Sequence, residues 1–393
     1  MRRTRVLAAL LCAGMFAAPV MANAAPVTET VVSASRLTTV TKIASLSRVE
    51  VAAYLTEYEL DAAAARHGVN LYRITYRTGG ITASALVALP RNDARRLPTV
   101  AWLHGTRAYR GYTGSMDDNL DRAAAVQFAA AGYATSAPDY LGLGEGPGQH
   151  PYMIARPTVT ASIDALHATR ELALRGGVRL DRDVAVTGFS QGGHAAMLVG
   201  RALEEDAYFR TRAIASLNGP VDIRGAELPA VFDGRLDGRS ATFYLGYVMV
   251  SWHRQYGLWD SPSEAFQAPY DETIETLFDG EHREEDIFAA LPATPEELFT
   301  PSYIAKLKHP TGELRRVIAM NDQACRDWRP RVPVRLFTST GDRDVAIENT
   351  ENCAAQLAES GARAQVVNLG DLDHFASGRT AVPLTLEWLN RLD

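Results

Sequence analysis

Lysine is nearly missing from this chain of 393 residues: only Lys42, Lys306 and Lys308 occur among 40 basic residues, against 46 acidic ones. No basic run and no interleaving of basic with aromatic residues occurs, so nucleic acid is not an expected partner. Cysteine is scarce too, with three in all, Cys12, Cys325 and Cys353. Beyond the first 24 residues only two remain, too few to build the usual four-ligand zinc site by themselves. Outside the N-terminus no stretch reaches the roughly 18 apolar residues of a transmembrane helix. Internal repeats and low-complexity segments are missing as well. The overall composition is 47% hydrophobic and 22% charged, which excludes disorder, collagen and coiled coil as readings of the whole chain. The length allows one large domain with an insertion, or two domains.

Arg2, Arg3 and Arg5 open the chain, followed by a short apolar run from Val6 to Val20 and the small residues Ala22-Asn23-Ala24. That is the pattern of a signal peptide over residues 1–24, with cleavage before Ala25. Losing three arginines takes the formal charge from -6 to -9. The expected product is soluble and secreted or periplasmic. In an oxidising compartment Cys325 and Cys353 are expected to form a disulfide. The loop it closes spans 353 − 325 = 28 residues, which constrains the unfolded chain by roughly 3–4 kcal/mol on the entropic account.

Residues 25 to about 45 show no clear period and read as a loosely ordered lead-in, and 46–67 as a helix. Strand-like runs at 71–76 and 83–89 flank Gly79-Gly80, a hairpin pattern. From there β-rich runs (99–103, 133–137, 183–187, 213–217, 334–338, 364–369) alternate with helical patterns (121–131, 158–175, 194–205, 350–360, 384–392). Such alternation predicts a mostly parallel sheet covered on both faces. Residues 223–328 break the rhythm for about 100 residues and are largely helical in pattern. The expected organisation is a catalytic domain from 25–222 and 329–393, with 223–328 inserted as a helical cap or lid.

Gly188-Phe189-Ser190-Gln191-Gly192 is G-x-S-x-G, entered by the β-rich Val184–Thr187 and left by a helical run. That context is the nucleophile elbow, in which Ser190 is exposed at the carboxyl edge of the sheet. A serine hydroxyl needs a base held by an acid, and in such folds the chain order is Ser, acid, His. Asp344 follows one late strand and His374 the next, so these are the expected acid and base. Asp342 and Asp222 are rivals for the acid. The oxyanion donors are expected from the backbone N–H groups of Gln191, just after the nucleophile, and Thr106, after the run Trp102-Leu103-His104-Gly105. His104 reads mainly as a residue shaping that loop, His194 as a packing or surface group, and Asp371 and Asp373 as loop caps. Tyr140 is a possible pocket residue. The glycines of 139–144 lack a nucleotide fingerprint. The charged run 282–286 reads as a solvated helix face, and 243–252 as a core helix that could also wall an acyl pocket.

With these residues in view, the chain resembles the α/β-hydrolase superfamily, and within it secreted bacterial lipases and esterases of the secretory-lipase type. The likeness rests on 102–106, on Pro138–Gly142 with His150-Pro151-Tyr152, on 188–193, and on Trp328-Arg329-Pro330 through Asp344 to His374. It implies an α/β-hydrolase fold and a cofactor-free, metal-free serine hydrolase. Its partners would be small-molecule or lipid esters, with no stable membrane insertion. Two alternatives keep the same scaffold: a serine peptidase or amidase, and a non-catalytic binding protein.

Overall fold

In the computed structural model residues 28–30 and 35–392 are described. The expected signal peptide, its cleavage site and Cys12 lie outside them. Ten strands form one sheet among the described residues: β1 (Thr28–Thr30), β2 (Leu37–Leu46), β3 (Gly68–Thr78), β4 (Ile81–Arg91), β5 (Arg96–Leu103), β6 (Ala134–Pro138), β7 (Arg179–Phe189), β8 (Arg210–Leu217), β9 (Val334–Thr338) and β10 (Ala364–Asn368). Their order is β1-β2-β3-β4-β6-β5-β7-β8-β9-β10. The pairs from β1 to β4, and β4 with β6, are antiparallel. From β6 through β10 every pair is parallel.

Helices cross between the parallel strands, as right-handed βαβ units require. Leu120–Ala130 joins β5 to β6, Ala155–Arg175 joins β6 to β7, Gln191–Ala202 joins β7 to β8, and Glu348–Glu359 joins β9 to β10. The first is alanine-rich, and its buried Ala123, Ala125 and Ala129 let it lie close on the sheet. Val100, Trp102, Phe128 and Leu386 pack on one face. Leu103, Val186, Met197 and Ile214 pack on the other. These near-continuous apolar strands are what burial on both faces demands.

Three expectations change. The segment read as a loose lead-in contains β2, paired with β3 from Leu37↔Tyr76 to Leu46↔Val69. Its Thr, Val and Ile favour a strand but are mostly half-buried, too little to show a strong period. The helix expected over 46–67 is only Arg48–Glu57, started by a Ser47–Glu50 capping box and ended where Glu59 takes φ +57°. The closing helix starts ten residues earlier than expected, at His374, because Asp373 caps it and Pro383 is accommodated inside it.

Between β8 and β9 the chain runs from Ile223 to Asn321 through helices, among them Leu228–Asp233, Gly238–Tyr256, Glu284–Ala290 and Gly312–Asn321. The apolar cluster of this insertion, including Phe243, Trp252, Phe266 and Phe299, also takes in Ala108, Tyr152, Met153 and Ile154 of the sheet domain. Its two ends are fastened together: Arg326 donates to Asp222 (2.6 Å) and Ile223 N–H donates to Asp322 (2.8 Å). The buried Cys325 and Cys353 form the expected disulfide, tying the exit of the insertion to the helix after β9. Among the described residues no helix is long and apolar enough to cross a membrane.

Candidate active site

The strand β7 ends at Phe189 and the next helix begins at Gln191, so Ser190 alone makes the turn, at φ +57° and ψ -120°. A non-glycine residue there carries strain on the order of 1–3 kcal/mol and persists only where its surroundings enforce it. Those surroundings are visible. Ser190 N–H donates to Leu217 O (2.8 Å), fixing the turn to β8. A Cβ on Gly192 would stand 1.9 Å from Leu103 O, and one on Gly188 would stand 2.4 Å from both Gly192 O and Leu103 O. Only glycine fits on either side of the serine.

His374 is buried as the first residue of its helix, with its ring against Phe189 (4.6 Å between centroids). Its Nδ1 lies 2.7 Å from Oδ2 of Asp342. The sequence reading put Asp344 in that position, and the structure differs. Asp342 follows Gly341 in the turn after β9 and lies beneath the imidazole, and its Oδ1 accepts the N–H groups of Asp344 and Val345 (both 2.9 Å). Asp344 has passed round that same turn. It bonds Ser240 of the insertion and lines the cavities beside Ser190 instead. The other rival, Asp222, is held by Arg326, Asn352 and Gly225 N–H at the root of the insertion.

The electrostatics of the pair are mutual. Burial would lower the pKa of His374, but the hydrogen bond and charge of Asp342, with Asp344 and Glu227 nearby, raise it above the ordinary histidine value. Burial would raise Asp342, but His374 and the two turn N–H groups hold it below the usual carboxylate range. Asn218, just past β8, also donates to Asp342 Oδ2 (2.8 Å).

The backbone N–H groups of Gln191 and Thr106 have no hydrogen-bond partner among the described residues. Side chains brace both positions. Gln191 Nε2 lies 2.9 Å from His150 Nε2, and His150 Nδ1 lies 2.9 Å from Leu141 O. Burial pushes His150 down to about 3, so it is neutral; its Nδ1–H donates to Leu141 O, and its Nε2 accepts the amide of Gln191. Thr106 Oγ1 is 2.8 Å from Tyr152 OH. His104 Nδ1 and Nε2 contact Gly105 O (2.6 Å) and Asp139 O (3.1 Å), shaping the loop. Tyr140 packs behind His104 and lines neither cavity; it is fully buried. His194 packs against Asn321 O.

The charged run 282–286 is only partly a solvated face. Glu284 turns inward, where its Oε1 accepts the N–H groups of Ala108 (2.8 Å) and Tyr109 (3.2 Å), clamping the loop that carries Thr106. Burial raises its pKa, and its Oε2 is buried without a partner. Beside it Arg107 pairs with Asp121 (2.5 Å).

Two cavities meet at Ser190. One, about 70 Å³, is walled by Leu228, Val231, Leu245, Met249, Trp252 and Ile318. The helix Gly238–Tyr256 gives it a single stripe, residues 241, 244, 245, 248, 249 and 252, while Phe243 and Tyr247 pack in the aromatic cluster of the insertion. The second, about 410 Å³, is lined by His374, Arg107, Asp121, Glu284 and Arg379 together with Phe189, Phe288 and Phe375. Thr106, Ser190, Tyr244 and Asp344 border both.

Asn218, His150 and Glu227 were given no role in the sequence reading. Asn218 had a signal, since it follows a parallel strand on the active edge. Glu227, on the π-helical turn Ile223–Glu227, had none. Among the described residues no three His, Cys, Asp or Glu side chains are placed to hold a metal ion.

No protein-family model matches the chain, and no curated protein matches it. Solved structures do. A protein of Legionella pneumophila, provisionally described as a hydrolase, is 26% identical with a TM-score of 0.82, over 91% of this chain and 98% of its own. The rice cell wall degrading esterase LipA from Xanthomonas oryzae is 25% identical with a TM-score of 0.81, over 91% of this chain and 99% of its own. Candida antarctica lipase A, 15% identical, superposes with a TM-score of 0.60 over 78% of this chain and 73% of its own. The chain has the α/β-hydrolase fold, of the lipase and esterase type.

Proposed function

We propose that this hydrolase-fold chain is an exported serine hydrolase of carboxylic esters. The observation that carries the reading is the strained elbow of Ser190 opening on the same cavity as a His374 held by Asp342. His374 takes the Ser190 proton as Oγ attacks the ester carbonyl. Asp342, not Asp344, orients the ring and stabilises its charged form. The N–H groups of Gln191 and Thr106, at a helix N-terminus and in the loop braced by Tyr152 and Glu284, hold the oxyanion. The protonated imidazole then donates to the leaving alcohol. Water, deprotonated by the same ring, adds to the acyl carbonyl of the acyl-enzyme and releases the acid. The cavity walled by Leu245, Met249 and Trp252 takes the acyl chain in this reading, and the one that holds His374, Arg107 and Glu284 takes the leaving alcohol. In this reading the insertion 223–328 is a cap over the site. Export is supported by the disulfide and by the signal-peptide pattern of residues 1–24.

The test is hydrolysis by purified protein of p-nitrophenyl esters with acyl chains from two to sixteen carbons. Ser190→Ala is run alongside. Activity that disappears in the variant is the expected result, and the chain-length optimum separates esterase from lipase. Failure on every ester would overturn the reading and favour a peptidase or a binding protein.

A further inference from the structure

The apolar cavity holds one group that a plain hydrocarbon chain does not explain. Glu227 lies on its wall, on the same turn that begins the insertion. One carboxyl oxygen, Oε2, is occupied, accepting Ala346 N–H (3.3 Å) and the amide of Asn349. The other, Oε1, has no partner among the described residues, and no cation pairs with Glu227 there. The remaining wall is almost wholly aliphatic and aromatic, yet the carboxyl lines the same cavity as Ser190, Thr106 and Asp344 and feels the charges of Asp342 and His374.

We propose that Glu227 is a specificity residue whose free Oε1 bonds a hydroxyl carried by the acyl chain near the ester carbonyl. This rests on the ester-hydrolase reading and narrows its substrate class to hydroxyacyl esters. Burial moves the Glu227 pKa to about 8, with the charge of Asp342 adding to the shift against the bonds from Asn349 and Ala346. At neutral pH the group is therefore a protonated carboxyl, able both to donate and to accept. An unsubstituted chain leaves that donor unpaired in an apolar cavity, at a cost comparable to a lost hydrogen bond. A hydroxyl two or three bonds from the carbonyl satisfies it. A permanently charged substituent fits less well, because the surrounding wall offers it no solvation.

The experiment compares kcat/KM for p-nitrophenyl octanoate with that for its 2-hydroxy and 3-hydroxy derivatives. It uses the wild-type protein, Glu227→Gln, Glu227→Leu and Glu227→Met. The wild type is expected to favour one hydroxylated ester by about tenfold, the value of a single neutral hydrogen bond. Glu227→Gln, which keeps a donor and the bond to Asn349, should retain most of that ratio. Glu227→Leu and Glu227→Met should bring it within about twofold of unity. If neither folds, the wild-type ratio alone decides. Good hydrolysis of octanoate with no hydroxyl preference overturns the proposal and leaves the ester-hydrolase reading standing. So does a Glu227→Leu enzyme that slows on all substrates equally, which marks Glu227 as a mere brace for the loop of Asp342. A stronger preference for the 3-amino derivative overturns it in favour of a cation anchor. No hydrolysis of any ester removes both readings.

Discussion

Asn218 donates to the same carboxylate oxygen of Asp342 that contacts His374, at 2.8 Å and 2.7 Å respectively. Asp342 is thus fixed from two strands of the sheet, while the carboxylate of Asp344 bonds Ser240 of the insertion. Asp342→Asn should lower kcat by about 10³–10⁴, the scale seen when the orienting carboxylate of a triad is neutralised. Asp344→Asn should stay within about tenfold of wild type. Asn218→Ala should fall between the two. Steady-state kinetics on a soluble ester, with circular dichroism to verify folding, would check the order. A larger loss in Asp344→Asn than in Asp342→Asn would return the role to Asp344.

The base must be neutral to accept the serine proton, so kcat/KM should rise with pH through the free-enzyme pKa of His374. That pKa is raised, with burial opposing and Asp342 and Asp344 driving the shift. The acid limb should therefore lie above the ordinary histidine value of about 6.5. Removing the Asp342 charge should move it to lower pH. A rate profile from pH 5 to 9 reads both.

The clamp of Glu284 on the N–H groups of Ala108 and Tyr109 reaches the reaction through the loop of Thr106. Glu284→Ala should lower kcat by about tenfold with little change in KM, since oxyanion stabilisation is felt mainly in the transition state. Glu284→Gln, which keeps an acceptor, should lose less. Equal losses in the two variants would argue against positioning by that oxygen.

Glu227 also links pH to stability. Burial raises its folded pKa to about 8, from the ordinary glutamate value of about 4.5. The folded state therefore holds this proton more tightly than the unfolded one. The favourable contribution is complete below about pH 4.5 and is lost as pH rises through 8. Glu227→Gln lacks this term, so the wild type should lose stability relative to the variant between pH 5 and 9. Urea unfolding at those two pH values measures the difference.

Replacing Cys325 and Cys353 with serine should cost about 3 kcal/mol, from the 28-residue separation that the disulfide closes. Chemical denaturation of oxidised and substituted protein under the same conditions would show it. A cost near zero would mean that the surrounding helices already restrain the unfolded ends.

The elbow was legible because its chemistry is local: one turn, two obligatory glycines, a strand before and a helix after. His374 was legible for a similar reason, standing just past a strand. The choice between Asp342 and Asp344 was not, since both lie in one turn and only its three-dimensional course separates them. Glu284 was hidden because a helix start rich in charge looks solvated until the loop it covers is known. Strand β2 escaped notice because its Thr-rich residues are mostly only half-buried. The buried parallel strands, with their dense apolar runs, announced themselves.

The knot of Asp222, Arg326, Asp322 and Ile223 brings entry and exit of the insertion to one place on the sheet edge. The chain thus enters and leaves this segment of roughly a hundred residues at one place, while Glu284 on the loop of Thr106 and Ser240 on Asp344 hold its body over the sheet. Its interior can be redrawn by mutation, and the apolar cavity with it, while the sheet and its elbow keep the same register. New substrate tastes on this scaffold would then come from rewriting the insertion, with the chemistry inherited unchanged.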